Sequence, residues 1–365
     1  MHKVDPFQRQ FLGQYLAAEA RTIAADAAER LIDRNPDVSV RFSPQPAAKW
    51  RVHLEGWATD LAAAINVDCP DLFASRLRWC AVAFAARSVP HGDLKAALEA
   101  FRYSLGRHVP KEDVPVLSPY FDAAERFLND PTTMGGPEDA VERLSRLSMS
   151  VLVAVLEGER LQACGLVMEA IRTGTLSAGT VHSAVVAPVM REVGRLWHLG
   201  ELSVAEEHFA TATMQTLLAQ VQMFMPKKPK NGRTLLAASV EGNSHELGIR
   251  VLADAFEAEG WRTIFLGGSV PIEDVAQAVI DFDVHLVALS ATLSQHLHVL
   301  GDAVAAAKSA RPENPPRVIV GGAALSMAPG AWKELGADAC ATSPSEAIAL
   351  AAEMFGLSSE GGSGR

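Results

Sequence analysis

The chain has 365 residues, of which 48% are apolar and 21% are charged, and this balance is typical of a folded protein with two or three domains. The formal net charge of −10 argues against a main role in binding nucleic acid, because phosphate contacts require a basic surface. The first residues lack the pattern of a signal peptide, no apolar run reaches membrane-spanning length, and the four cysteines are too scattered for a metal site. We therefore expect a cytoplasmic protein with free thiols and no membrane partner.

Residues 1–135 have the pattern of an all-helical domain, either a bundle or a globin-like fold. Apolar spacing and prolines predict helices at residues 7–31, 47–65, 71–88, 92–107 and 118–128, with a loop at residues 35–46. The many aromatic residues of this segment favour a filled helical core. The alternative is an aromatic pocket for a flat ligand; for a haem, the best-placed ligand is His53, on the helix face of Trp50 and Trp57.

The helical pattern of residues 136–226 predicts a four-helix bundle, which follows a linker at residues 134–137. The helices are expected at residues 138–156, 159–172, 177–199 and 203–225. Ser203 and Glu206 have the spacing of a capping box at the start of the fourth helix. Taken alone, Trp197 at the end of the third helix is a core residue, and Glu207-His208 is an acidic helix start beside a solvated histidine.

Residues 227–357 alternate between strand and helix patterns, which predicts a Rossmann-like domain with a five-stranded parallel sheet. Strands are expected at residues 233–240, 262–266, 285–290, 317–320 and 338–341, with helices at 246–259, 271–281, 295–310, 330–335 and 344–355. No G-x-G-x-x-G follows the first strand, so there is no nucleotide fingerprint. His296 and His298 are expected at the surface, and residues 358–365 as a flexible tail.

Three short motifs follow predicted strands of this sheet. Asn243-x-His245-x-x-Gly248 follows the first strand, Ser290-x-Thr292 the third, and Gly321-Gly322 the fourth. The gaps are 41 residues between Gly248 and Ser290 and 28 residues between Thr292 and Gly321. In both composition and spacing, these motifs resemble the cobalamin-binding domain.

The resemblance implies a role for each motif. His245 would bind cobalt from below through a neutral imidazole nitrogen. Ser290, Thr292 and the two glycines would line a slot for the nucleotide tail of the cofactor, with glycine required because a side chain would fill the slot. One position departs from the family pattern, since Asn243 stands where the family has aspartate. Its carbonyl can orient the imidazole but adds no negative charge, so the lower ligand is expected to be a weaker donor.

A second resemblance lies in the predicted bundle, where nine residues separate Trp197 from Glu207-His208. This Trp-x9-Glu-His pattern is similar to that of CarH-type cobalamin-dependent photoreceptors. It implies that Trp197 packs over the upper face of adenosylcobalamin, with Glu207 and His208 near the ribose and adenine. His198 matches the position that binds cobalt after photolysis and gives a bis-histidine product. Moving His198 to cobalt would shift the bundle relative to the sheet.

The first domain sets this chain apart from the CarH family, which usually carries an amino-terminal DNA reader. A basic recognition helix is lacking here, and an aromatic helical domain stands in its place, as in the photocobilins. That resemblance implies biliverdin as a second chromophore; a sensor globin or a ligand-free dimerisation domain fits the same pattern. The sequence thus predicts a non-enzymatic, homo-oligomeric light sensor that acts on an unidentified output protein.

The alternative function is a corrinoid protein that carries methyl groups for methyltransferases, which also combines a helical cap with Asp-x-His-x-x-Gly. Asn243 and the Trp197-x9-Glu207-His208 pattern weigh against it, since a methyl carrier has no adenosyl group to shelter. An adenosylcobalamin mutase is disfavoured because its substrate barrel needs about 250 residues.

Overall fold

The computed structural model describes residues 5–129 and 144–357. The predicted linker at 134–137, the start of the first bundle helix and the predicted tail lie outside these ranges. The chain divides into two compact units, one formed by Met1–Ala140 with His198–Gly200 and the other by Val141–Trp197 with Glu201–Arg365. In the described ranges no helix is long and apolar enough to cross a membrane.

The first unit is helical throughout its described part, as predicted. Its helices are α1 Pro6–Arg34, α2 Pro36–Arg41, α3 Pro46–Asn66, α4 Pro70–Ala86, α5 His91–His108 and α6 Ser118–Asn129, with a 3₁₀ turn at Val114–Leu117. Four of these helices have proline at the first helical position, where its missing N–H costs nothing. The short helix α2 lies where the sequence predicts a loop, because Pro36 can start a helical turn as well as break one.

The aromatic residues of the first unit pack against one another. Trp57 and Phe101 lie edge to face with ring centroids 6.0 Å apart, and Phe121 lies 6.2 Å from Phe101. These side chains are at most 1% exposed. The predicted helical core is therefore confirmed, and burial of this aromatic area is its main stabilising contribution.

The second unit begins with four helices that share one apolar core. They are α7 Arg146–Leu156, α8 Arg160–Arg172, α9 Ala187–His198 and α10 Val204–Val221. The predicted capping box at the start of α10 is present, with Ser203 and Glu206 satisfying each other's backbone N–H groups. Helix α10 also packs towards the sheet domain, because Leu247 and Val251 lie against the bundle core.

The third bundle helix was predicted to run without a break from residue 177. It begins instead with a 3₁₀ turn at Ala178–Thr180 and a π turn at His182–Val186. Pro188 explains the interruption, since it has no N–H to donate to the carbonyl of Ala184. The fully buried Ser148 of α7 supplies the missing donor, with its hydroxyl 2.8 Å from that carbonyl oxygen.

The second unit continues with the predicted parallel sheet, which has five strands in the described residues, in the order β2-β1-β3-β4-β5. The strands are β1 Thr234–Val240, β2 Arg262–Val270, β3 Leu286–Ser290, β4 Arg317–Gly321 and β5 Ala339–Ala341. The helices are α11 Leu247–Ala258, α12 Ile272–Asp281, α13 Leu297–Ser309, α14 Ala323–Met327, α15 Ala331–Glu334 and α16 Pro344–Phe355. The reversal of strand order at β1 and β3 places the ligand-binding crevice of such a sheet at their carboxyl ends.

Strand β2 is longer than predicted and carries an irregularity. Ala237 of β1 pairs with Phe265, but Ala238 pairs with Gly267, so that Leu266 is an extra residue. Gly267 and Gly268 therefore lie within the strand and not after it, and Gly267 has a φ of +87° that favours glycine.

Candidate functional site

The loop between β1 and α11 holds a histidine whose ring orientation is fixed by a buried amide. Asn243 is fully buried, and its Oδ1 lies 3.0 Å from Nδ1 of His245. Its Nδ2 donates to the carbonyl oxygen of Ser290 at the end of β3, at 3.1 Å. Since Nδ2 must face a carbonyl, Oδ1 must face the imidazole, and Nδ1 of His245 donates the proton. The other ring nitrogen, Nε2, then carries the free lone pair that a metal ligand requires.

The surroundings of this imidazole favour its neutral form. Shielding by neighbouring atoms lowers the pKa of His245, and the carboxylate of Glu207 opposes this effect by raising it. Glu207 lies in the first turn of α10, and Gln215 of the same helix donates to Glu246 in the His245 loop at 2.5 Å, so α10 and this loop are in contact. His245 itself is exposed and can meet a ligand.

Further polar contacts, which the sequence did not predict, fix the same loop. The buried hydroxyl of Ser239 donates to the carbonyl oxygen of His245 at 2.8 Å. Glu246 accepts from Nε2 of Gln215 on α10 at 2.5 Å and from the backbone N–H of Gly268 at 3.0 Å. Ser239 could have been found from the sequence, because a serine at the end of an apolar strand is unusual. Gln215 could not, because it lies inside a regular helix with no local pattern to mark it.

The glycines of the third motif are required by the close approach of neighbouring backbone. A Cβ on Gly322, whose φ is +107°, would lie 2.2 Å from the carbonyl oxygen of Ala291, and a Cβ on Gly321 would lie 2.7 Å from that of Ala341. The neighbouring backbone therefore excludes a side chain at both positions. Gly248 is different, because a Cβ there would meet no protein atom within 4 Å and the helix start is open beside His245.

The segment after β3 contains one correction. Ser290 and Thr292 are half-buried at the carboxyl end of this strand, as predicted. His298 is exposed, but His296 is only 6% exposed and lies with its ring edge towards Gly242. The prediction that His296 is a surface residue was wrong, because a 3₁₀ turn at Ser294–His296 folds its ring inwards, where its Nδ1 accepts the N–H of Leu293 at 3.4 Å.

The bundle motif lies at the facing ends of α9 and α10. Trp197 is half-buried at the end of α9, and Glu207 and His208 are in the first turn of α10. Glu207 binds Nδ1 of the exposed His208 at 2.5 Å and accepts from the hydroxyl of Thr211 at 2.8 Å. The carboxylate is thus held by its own helix.

His198 is engaged elsewhere. It is 7% exposed, groups with the first unit, and stacks on Trp79 with ring centroids 4.5 Å apart and an interplanar angle of 6°. Its Nε2 lies 2.9 Å from the carbonyl oxygen of Trp79 and must carry a proton, since a carbonyl can only accept. In this arrangement Nε2 of His198 is not available to a metal.

Two family matches cover this region. Residues 233–352 match the family described as the B12 binding domain, and residues 150–222 match a second B12 binding domain family. This is a cobalamin-binding protein. The bundle and the sheet therefore belong to one cofactor module, in which His245, Asn243 and Gly248 come from the sheet side.

Similar proteins fall into two groups. The dimethylamine corrinoid protein 3 of Methanosarcina acetivorans is 28% identical over 168 residues, which are 46% of this chain and 78% of that protein. The HTH-type transcriptional repressor CarH of Myxococcus xanthus is 32% identical over 140 residues, but these are 38% of this chain and 46% of the repressor. The structure of the Methanosarcina barkeri monomethylamine corrinoid protein shares the fold, with a TM-score of 0.51, 21% identity and coverage of 57% of this chain and 98% of that one.

The residues present fit a corrinoid. The corrin ring supplies the equatorial ligands of its own cobalt, so the protein needs to add only axial ones. In the described ranges no cluster of three or more His, Cys, Asp or Glu side chains could hold a bare metal ion. A neutral imidazole with a free Nε2, beside the open helix start at Gly248, is what a lower axial ligand requires.

Proposed function

We propose that this protein is a light sensor that binds adenosylcobalamin between the bundle and the sheet domain, with His245 as the lower ligand of cobalt. When bound, the cofactor supplies a cobalt–carbon bond that light breaks. The chain itself is not catalytic in this proposal. Its residues orient the cofactor, shelter the adenosyl group and change partners when that group leaves.

One observation carries the proposal: α10, the helix that bears Glu207 and His208, contacts the His245 loop through the hydrogen bond from Gln215 to Glu246 at 2.5 Å. This contact brings the helix of the Glu-His pair to the lower-ligand loop, as expected if an upper-face ligand lies between them. Trp197 would cover the upper face, Glu207 and His208 would contact the ribose and adenine, and Ser290, Thr292, Gly321 and Gly322 would surround the tail. The 32% identity to CarH supports the same assignment.

His198 provides the switch in this proposal. In the dark its ring rests on Trp79, and its Nε2 is bound to the Trp79 carbonyl. After the adenosyl group departs, His198 would leave Trp79 and bind the upper face of cobalt. The resulting rearrangement would be passed to a homo-oligomer contact and to an output protein.

Biliverdin belongs to the proposal as a second chromophore in the first unit. For a haem in the same unit, His53 is the best-placed ligand, with its ring 5.2 Å from Phe84 and 5.9 Å from Trp50. Burial lowers the pKa of His53, and the charge of Arg76 lowers it further.

The test is an absorbance spectrum of protein expressed with cobalamin and biliverdin and then loaded with adenosylcobalamin in the dark. We expect a permanent spectral change under green light, and a separate red band if the bilin is bound. In His198→Ala the dark spectrum should be unchanged, while the bis-histidine product should not form. A spectrum unaltered by light would contradict the sensor proposal.

A second candidate function is a methyl carrier, because the dimethylamine corrinoid protein 3 matches over a larger share of both chains. A methyl carrier must pass repeatedly through the reduced cobalt(I) state. Loaded protein that is inert to light but accepts and returns a methyl group with a corrinoid methyltransferase would support this function instead.

A further inference from the structure

Glu246 lies between the proposed lower ligand and the start of α11, and both of its carboxylate oxygens are used. Oε1 accepts from Nε2 of Gln215 on α10 at 2.5 Å, and Oε2 accepts from the backbone N–H of Gly268 on β2 at 3.0 Å. Hydrogen bonds to an ionised acceptor are roughly twice as strong as neutral ones. The residue that follows His245 therefore fastens its loop to two other elements.

The irregularity in β2 shapes the strand side of this contact. The extra residue Leu266 brings Gly267 and Gly268 to the loop, and a Cβ on Gly267 would lie 3.0 Å from Oε2 of Glu246. Any larger residue at 267 would also be strained by the φ of +87°. The bulge thus has a specific use, because it brings a backbone donor within reach of Glu246.

The helix side of the contact leads to the bundle motif. Gln215 lies seven residues after His208 in α10, which is about two helical turns, so the two share a helix face. A shift of α10 along its axis would be felt at Glu246 and, one residue away, at His245.

We propose that Glu246 is a positioning residue that sets the reach of His245 towards cobalt by tying its loop to α10 and to the bulge of β2. The proposal rests on His245 being the lower ligand. In this proposal the hydrogen bond between Gln215 and Glu246 keeps the lower ligand at a fixed position relative to the bundle. Asn243 fixes the rotation of the imidazole, whereas Glu246 fixes the loop that carries it.

The chain offers a matched control for this pair. Gln222, just beyond α10, donates to Oε2 of Glu257 on α11 at 2.7 Å. The chemistry and the elements joined are alike, but this second pair lies away from the His245 loop. Any general effect of loosening the bundle from α11 should appear equally in Gln222→Ala.

The experiment compares Glu246→Ala, Gln215→Ala, Gln222→Ala and the unaltered full chain, each loaded with cobalt(II) cobalamin. Each protein carries ¹⁵N-labelled histidine, so that electron paramagnetic resonance separates the two-line splitting of a coordinated histidine nitrogen from the three-line splitting of the cofactor's own benzimidazole nitrogen. Absorbance titration gives the Kd for hydroxocobalamin. We expect Glu246→Ala to weaken binding by about 10- to 100-fold, as for other residues that orient a metal ligand, and to reduce the nitrogen-split signal. Gln222→Ala should leave both unchanged.

Two further variants test the assignment. The double variant Glu246→Ala with Gln215→Ala should be no worse than Glu246→Ala alone, because the two residues act together. Glu246→Gln should retain most of the signal, since an amide oxygen can still accept from Gly268 while the Gln215 amide turns over. Circular dichroism confirms that each variant is folded.

The outcomes separate this proposal from the proposed function. A full nitrogen-split signal in folded Glu246→Ala, with an unchanged Kd, overturns the role of Glu246 and leaves the light sensor intact. Absence of the signal in the unaltered chain overturns the His245 assignment and the role of Glu246 with it. A signal that depends on Glu246 in a protein inert to light supports the positioning role and contradicts only the sensor.

Discussion

Gly322 lies where the backbone after β4 comes close to the backbone after β3, because a Cβ on it would be 2.2 Å from the carbonyl oxygen of Ala291. The N–H of Ala291, the residue between Ser290 and Thr292, donates to the carbonyl of Gly321 at 3.0 Å, and the N–H of Ala324 donates to the Ala291 carbonyl at 3.3 Å. The second and third motifs are therefore in direct contact through their backbones. A change at one is expected to displace the other.

Gly322→Ala should be strongly destabilising, because its Cβ would be placed 2.2 Å from a backbone oxygen that cannot rotate away. We expect a loss of about 4 kcal/mol or more in the free energy of unfolding, or failure to fold. Urea denaturation measures it. Gly330→Ala is the control, since its φ of +92° is also left-handed but no atom lies within 4 Å of the added Cβ. Equal losses in both variants would show that the strained left-handed backbone, and not the close approach to the Ala291 carbonyl, accounts for the loss of stability.

At the scale of single residues, the sequence was sufficient to select the residues of the candidate site but not to predict their hydrogen-bond partners. It predicted that Asn243 orients His245, which the 3.0 Å contact supports, but not that its Nδ2 binds the carbonyl of Ser290. That bond requires β1 and β3 to be neighbours, which is a property of the fold. The same applies to His296, whose exposure depends on a turn that no local pattern signals.

At the scale of helices and strands, the π turn at His182–Val186, just before α9, depends on a residue from another helix. Ser148 donates to the Ala184 carbonyl that Pro188 leaves without its usual partner. The periodicity of residues 177–199 predicted one helix, because apolar spacing reports which face is buried and is nearly blind to a single widened turn. Proline was the available signal, and it was outweighed by the regular pattern around it.

Ser148→Ala should destabilise the second unit by about 1–3 kcal/mol, because it removes the donor to the Ala184 carbonyl from a fully buried position. Thermal and urea unfolding measure the loss. Ser150→Ala is a suitable control on the same helix, since the exposed Ser150 hydroxyl bonds only to the carbonyl of Arg146. A loss of less than about 0.5 kcal/mol in Ser148→Ala would mean that Ala184 finds another donor.

For the whole molecule, alternation of strands and helices was enough to predict the parallel sheet and its five strands in the described residues, since buried apolar runs and turn glycines mark each one. The grouping of the chain could not be predicted in the same way. Bundle and sheet form one compact unit, while His198–Gly200 group with the first. Such a grouping depends on which surfaces meet. The sequence Lys227-Lys228-Pro229-Lys230 has the composition of an exposed linker, and it gave no indication that bundle and sheet form one unit.

Trp79→Ala should favour formation of the bis-histidine product after illumination. A stacked ring pair contributes about 0.5–1.5 kcal/mol beyond the contribution of its buried area. Its removal should therefore raise the ratio of released to held His198 by roughly 2- to 12-fold. The yield and rate of the product after a green flash measure the effect. Trp332→Ala, on α15, should behave like the unaltered protein. A slower or smaller product in Trp79→Ala would contradict a holding role for the stack.

Pro188 and Ser148 have a consequence for anyone who redesigns this bundle. Each compensates for the other, although they are on different helices. Replacing Pro188 by alanine would restore a backbone donor at the Ala184 carbonyl and make the Ser148 hydroxyl redundant, so serine at 148 would then be free to vary. Libraries that sample the two positions independently would discard good pairs, and the two should be varied as one coupled site.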